Sequence, residues 1–129
     1  MELGMRKRRI LIAEDDVDTL DMVAFILQRS GFDTLKARDG LEVLEIARRE
    51  LPDLILLDMT MPEMDGWTAA EKLKTDPATH DILIVALTVR SLPHDKLRAL
   101  EAGCDGYLTK PMNISNFLKQ VNRFLETLE

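Results

Sequence analysis

The sequence predicts an α/β domain built on a doubly wound sheet of five parallel strands, each followed by a helix. Three observations carry this. Short, continuous apolar runs at 10–13, 54–57 and 82–87 are apolar on both faces, as strands in the middle of a covered parallel sheet must be. Segments with helical periodicity alternate with these runs, and strand–helix alternation implies right-handed crossovers in a parallel sheet. At 129 residues the chain fits one domain and can bury a substantial core.

In chain order, Ile10-Leu11-Ile12-Ala13 forms the first strand and runs into Glu14-Asp15-Asp16. Leu20, Val23, Ala24 and Leu27 recur at helical spacing, with Asp16 or Asp18 able to cap the start and Gly31 a natural stop. Residues 32–37 make a weaker strand, and the charges of Asp33 and Lys36 suit a sheet edge. Asp39-Gly40 reads as a turn, followed by a short helix on Leu41, Val43, Leu44 and Ala47 that ends before Pro52. The run 54–57 ends in Asp58, then a Pro62/Gly66-punctuated loop leads to a helix over 67–75, closed by Asp76-Pro77. The run 82–87 closes in Thr88; Pro93 can open the next helix and Gly103 close it. Tyr107-Leu108 is a brief fifth strand before Thr109-Lys110-Pro111. Asn113 caps a last helix whose apolar stripe is Ile114, Phe117, Leu118, Val121, Leu125 and Leu128, expected to pack on the sheet.

Composition narrows the function classes. The net charge of −6 disfavours general nucleic-acid binding. The basic cluster Arg6-Lys7-Arg8-Arg9 reads either as a solvated lead-in or as a contact for an acidic partner. No apolar run approaches the length of a membrane helix and the start lacks a signal-peptide core, so a cytoplasmic location and no membrane association are expected. The single cysteine, Cys104, excludes an internal disulfide. His80 and His94 have no metal-ligand company, and P-loop and GxGxxG patterns are absent.

The strand ends carry the chemistry. In the order 2-1-3-4-5, the flavodoxin-like arrangement, the first and third strands meet at the switch point where open α/β sheets hold their ligands. Glu14, Asp15 and Asp58 would then share one crevice, reached by Thr88 from the fourth strand and Lys110 from the fifth. Adjacent carboxylates repel, by ~4 kcal/mol for a close pair at an effective dielectric of about 20, and a bound cation relieves that cost. An all-oxygen site with room for water suits Mg²⁺. A lysine and a hydroxyl beside a nucleophilic carboxylate are what a phosphoryl group needs. Each residue alone has a plainer reading: an acidic helix cap, a surface lysine, a strand-end hydroxyl. Their coincidence at successive strand ends is what favours a site.

The motifs Ile-Ala-Glu14-Asp15-Asp16, Leu-Leu-Asp58-Met-Thr-Met-Pro62-Glu-Met-Asp-Gly66, Ala-Leu-Thr88 and Gly-Tyr107-Leu-Thr-Lys110-Pro111 resemble those of the response-regulator receiver domains of two-component signalling. The resemblance runs nearly end to end and is closest to single-domain, chemotaxis-regulator-like receivers. It implies that Asp58 is the phosphoacceptor, with Thr88 and Lys110 assisting. It also implies that Mg²⁺ is ligated by Asp15, Asp58 and the Thr60 backbone carbonyl, with Glu14 acting through water and Asp16 left out. Thr88 and Tyr107 would form the switch, acting on a partner through the fourth helix, fifth strand and fifth helix. A sensor histidine kinase or a histidine phosphotransfer protein would supply the phosphoryl group. By the same resemblance Lys110-Pro111 is expected to be a cis peptide. Val89 departs from the small residue usual in the family after the threonine, which predicts slower phosphoryl uptake and loss.

The expected organisation is a single receiver spanning 1–129, with 1–8 as a basic lead-in and no output domain, acting as a phosphoacceptor rather than a conventional enzyme. One alternative is a pseudo-receiver scaffold that works without phosphorylation. Another is a small-molecule phosphatase with an aspartate nucleophile, which would need an acid two residues after Asp58, where Thr60 stands.

Overall fold

A computed structural model describes residues 7–59, 61, 64–88, 93–109 and 113–128, the side chains of 93–96 excepted. The strands are β1 (Arg9–Ala13), β2 (Asp33–Ala37), β3 (Leu54–Asp58), β4 (Leu83–Thr88) and β5 (Gly106–Thr109). The helices are α1 (Val17–Arg29), α2 (Gly40–Glu50), α3 (Gly66–Thr75), α4 (Pro93–Glu101) and α5 (Ile114–Glu126). The strands form one sheet, ordered β2-β1-β3-β4-β5, and every pairing is parallel.

Because side chains alternate along a strand, each central strand feeds two cores. Leu11, Ile55, Leu57, Ile84 and Ala86 join Val43, Ala47, Ala69, Leu73 and Ala99 from α2, α3 and α4, with Ala102 just beyond α4, on one face. Ile10, Ile12, Leu54, Leu56, Val85 and Leu87 meet Leu20, Val23, Leu27, Phe117, Val121 and Leu125 from α1 and α5 on the other. The continuous apolar runs are thus buried on both sides, whereas β2 at the edge keeps Asp33 and Lys36 exposed.

Side-chain caps place the helix starts. Asp16, Asp39, Asp65 and Asn113 each accept a hydrogen bond from the backbone N–H three residues on, an arrangement that contributes about 1 kcal/mol per helix. Asp16, rather than Asp18, is therefore the α1 cap. Asp39 does more than turn the chain: it caps α2, and Gly40 is the first helical residue.

Two expectations need correction. Phe117, Val121 and Leu125 pack on the sheet, but Ile114 and Leu128 are 55% and 38% exposed. Helical spacing puts Ile114 on the correct side of α5, but it falls in the first turn of the helix and is left uncovered. The basic lead-in is also more than solvated. Lys7 and Arg8 pair with Asp33 and Asp53, and Arg9 is part of β1, with its guanidinium 2.5 Å from Glu50. Arg6 lies outside the described residues.

Candidate functional site at the carboxyl edge of the sheet

Parallel register decides what meets at the sheet's carboxyl edge. Ala13 pairs with Leu57, so Glu14 and Asp58, each one residue further, stand side by side where β1 and β3 end. Asp58 pairs with Leu87, which puts Thr88 one step beyond it on β4, and Thr88 pairs with Thr109. Among the described residues, Glu14, Asp15 and Asp58 form an acidic group in which one carboxylate oxygen of each lies within 4.8 Å of the others. Glu14 and Asp58 are buried, at 3% and 4% exposure, and Asp15 is open to water.

Backbone contacts hold this geometry. The Glu14 N–H donates to the Ala37 carbonyl at 3.0 Å, tying the acidic turn to the end of β2. Glu14 Oε2 accepts from the Asp16 N–H at 3.2 Å. Asp16 itself turns away: its carboxylate accepts from the Thr19 backbone N–H and hydroxyl. On the other side, the Met59 N–H donates to the Leu87 carbonyl and the Gly66 N–H to the Met59 carbonyl. A side chain at Gly66 would meet the Asp58 carbonyl oxygen and Met59 Cα at 2.6 Å, so only glycine lets α3 start this close to the site.

The structure therefore brings Glu14, Asp15 and Asp58 together, with Thr88 half-buried at the end of the neighbouring strand. Tyr107 is half-buried in β5 and packs against the core shared with α2, α3 and α4. The expectations for the Thr60 carbonyl, Lys110, the Lys110-Pro111 peptide and Val89 lie outside the described residues. His80 is exposed, its ring nitrogens 3.1 Å from the Pro77 carbonyl and 3.4 Å from Asp81; His94 is among the side chains not described. Cys104 is buried, and burial, reinforced by the neighbouring Asp105 charge, pushes its thiol up to about 12.

Some features of the segment that follows Asp58 have no signal in the sequence. Met59 and Met61 are buried. Trp67, in the first turn of α3, lies under the Arg98 guanidinium of α4, 4.5 Å from the ring centroid. Contacts of this kind depend on which helices become neighbours, which periodicity does not report. The carboxylate donors are all oxygen, a set that fits a hard divalent cation completed by water and fits poorly a metal that prefers sulfur or nitrogen.

Residues 10–122 match the response regulator receiver domain. The "DNA-binding dual master transcriptional regulator RpaA" of Synechocystis sp. is 38% identical over 117 residues, which are 91% of this chain and 48% of RpaA, so the chain spans about half that relative's length. The "Polar-differentiation response regulator DivK" of Brucella anthropi is 31% identical over 118 residues, 92% of this chain and 96% of DivK. The receiver domain of sensor histidine kinase PA1611 from Pseudomonas aeruginosa PAO1 was solved with a magnesium ion coordinated in its active site cleft. It superimposes with a TM-score of 0.86 at 26% identity, covering 94% of this chain and 99% of that one. The chain belongs to the response regulator receiver domain family of two-component systems. Among the described residues, no helix is long and apolar enough to cross a membrane.

Proposed function

We propose that this receiver is a phosphorylation switch in which Asp58 accepts a phosphoryl group in a Mg²⁺-dependent reaction and the change is read by a protein partner. The observation that carries the reading is the acidic group at the switch point: two buried carboxylates and one exposed, within 4.8 Å, at the ends of β1 and β3. Asp15, Asp58 and the Thr60 carbonyl would hold the cation directly and Glu14 through water; the magnesium-bound PA1611 receiver supports that assignment. The cation supplies charge neutralisation for the incoming phosphoryl oxygens.

In the transfer, an Asp58 carboxylate oxygen forms the new bond to phosphorus. The donor's phosphorus–nitrogen bond breaks, and its electron pair stays on the departing imidazole of a histidine kinase or a histidine phosphotransfer protein. The Thr88 hydroxyl, held by β4, donates to a phosphoryl oxygen, and Lys110 supplies a positive charge. Moving Thr88 toward the phosphate frees space into which Tyr107 turns, which biases the α4-β5-α5 face toward its bound form. That face carries Leu97 and Leu100 at 57% and 62% exposure and Ile114 at 55%, apolar side chains of the kind a protein partner covers. The acidic group tells against a pseudo-receiver scaffold, and Thr60 at the second position tells against a phosphatase.

Intact-mass measurement after incubation with acetyl phosphate tests the reading. One phosphoryl group is expected with Mg²⁺, and none with EDTA or in Asp58→Asn. Full phosphorylation of the Asn variant would overturn it.

A further inference from the structure

We propose that the β2–α2 turn, residues 37–40, is a positioning element of the acidic site, and that Gly40 is the residue through which it sets the loop following Asp58. This rests on the Mg²⁺ site proposed above. The turn makes a contact on each side of the acidic group. At one end the Ala37 carbonyl accepts from the Glu14 N–H at 3.0 Å, which fixes the strand end bearing Glu14 and Asp15. At the other end Gly40 sits against Met64, in the loop between Asp58 and α3. A Cβ at Gly40 would meet the Met64 carbonyl oxygen, with Met64 Cβ at 2.6 Å and the carbonyl carbon at 2.9 Å. These are backbone and Cβ atoms, so no rotamer change relieves the overlap.

The turn between these contacts is braced. The Glu42 N–H donates to Asp39 Oδ1, and Glu42 Oε1 accepts from the Arg38 N–H, both at 2.9 Å. Val43, Leu44 and Ala47 anchor the helix behind it in the core. Met64 belongs to neither a helix nor a strand. A methyl group at position 40 therefore displaces the Met64 side of the contact, the loop that carries the backbone following Asp58. Gly40 has ordinary helical geometry and is not among the positive-φ glycines, so its requirement is for close approach alone.

The test is Gly40→Ala, titrated with MgCl2 by calorimetry and melted in EDTA. Alanine is the better helix former, so a purely local effect would leave Mg²⁺ binding intact and raise the melting point. The expected result is a Kd for Mg²⁺ raised roughly tenfold, the scale seen when the support of a metal ligand is disturbed. Val43→Ala, which weakens the same helix without adding a group at position 40, is expected to lower the melting point and leave Kd within about twofold. Adding Met64→Gly to Gly40→Ala removes the Cβ overlap and lets the carbonyl rotate, and should restore most of the affinity. An unchanged Kd in Gly40→Ala, or an equal loss in Val43→Ala, overturns the inference while leaving the site reading in place. Failure of the parent protein to bind Mg²⁺ overturns both. Should Gly40→Ala not fold, Glu42→Ala loosens the same turn from an exposed position, and an unchanged Kd there is equally fatal.

Discussion

Replacing Asp58 with Asn should stabilise the protein in EDTA and abolish the stabilisation that Mg²⁺ gives the parent. The magnitude follows from the crowding of charge. Glu14 and Asp58, both buried, have carboxylate oxygens no more than 4.8 Å apart, which at an effective dielectric of about 20 corresponds to ~3.5 kcal/mol of repulsion. The exposed Asp15 is screened by water and adds under ~1 kcal/mol. Asn accepts hydrogen bonds less strongly than a carboxylate and gives up the charge pairing with Lys110 proposed above, together an offset on the order of 1–2 kcal/mol. The balance is about 2 kcal/mol in favour of the variant, a rise of roughly 6–10 °C in melting temperature for a domain of this size. With Mg²⁺ at ~100 times its Kd, the parent should gain about 2.7 kcal/mol by linkage, while the variant gains little because one ligand charge is gone. Thermal melts of both proteins, in EDTA and across a Mg²⁺ series, measure all four values. A variant that melts below the parent in EDTA, or that responds to Mg²⁺ as strongly, would refute the electrostatic account.

Four further outcomes follow from the described contacts. Lys74 donates to the carbonyls of His80 and Ile82 and to Asp105 at 3.3, 2.9 and 2.8 Å; allowing for the partial exposure of the pair, Lys74→Met should cost about 2 kcal/mol in a urea titration, and a loss below ~0.5 kcal/mol would refute that. Gly66→Ala should cost ~1–3 kcal/mol by forcing its methyl against the Asp58 carbonyl and Met59, with an undiminished urea midpoint the contrary result. The Cys104 thiol is held near 12 against an ordinary 9.0: above pH ~9 the unfolded chain releases this proton and the folded chain keeps it, so stability falls as pH rises. A thiol reagent at pH 8 should therefore react far more slowly with native protein than with urea-unfolded protein, and equal rates would contradict its burial. The Ala78 N–H and then the Arg48 guanidinium hold the Asp76 carboxyl below its ordinary 3.8, so its contribution is present above that pH and lost as pH falls through the lowered value; Asp76→Asn should flatten the acid limb of a stability–pH curve.

Much of the fold was legible because parallel strands buried on both faces write an unmistakable pattern. The runs ending at Ala13, Leu57 and Leu87 became β1, β3 and β4, and the polar residues after them became the strand ends. The order β2-β1-β3-β4-β5 is the flavodoxin-like one expected for such a chain, and the charged β2 lies at its edge. The meeting of Glu14, Asp15 and Asp58 was legible for the same reason, since adjacent parallel strands in register bring their carboxyl ends to one level.

What periodicity could not decide were matters of distance between elements. Ile114 carries the apolar signal of a packed position, yet whether anything covers it depends on how far α5 overhangs the sheet, and it is 55% exposed. Leu97 and Leu100 look like core residues of α4, but the small side chains of Ala99 and Ala102 face inward instead. The stack of Arg98 on Trp67, the Lys74–Asp105 pair and the approach of Gly40 to Met64 each join segments far apart in the chain. The sequence by itself determined the elements, their alternation along the chain and the acids at the strand ends, because those depend on local pattern and on the geometry common to parallel sheets. Only the tertiary structure decided which side chains face water and how tightly the turns around the acids close, because those depend on the spacing of packed helices and loops.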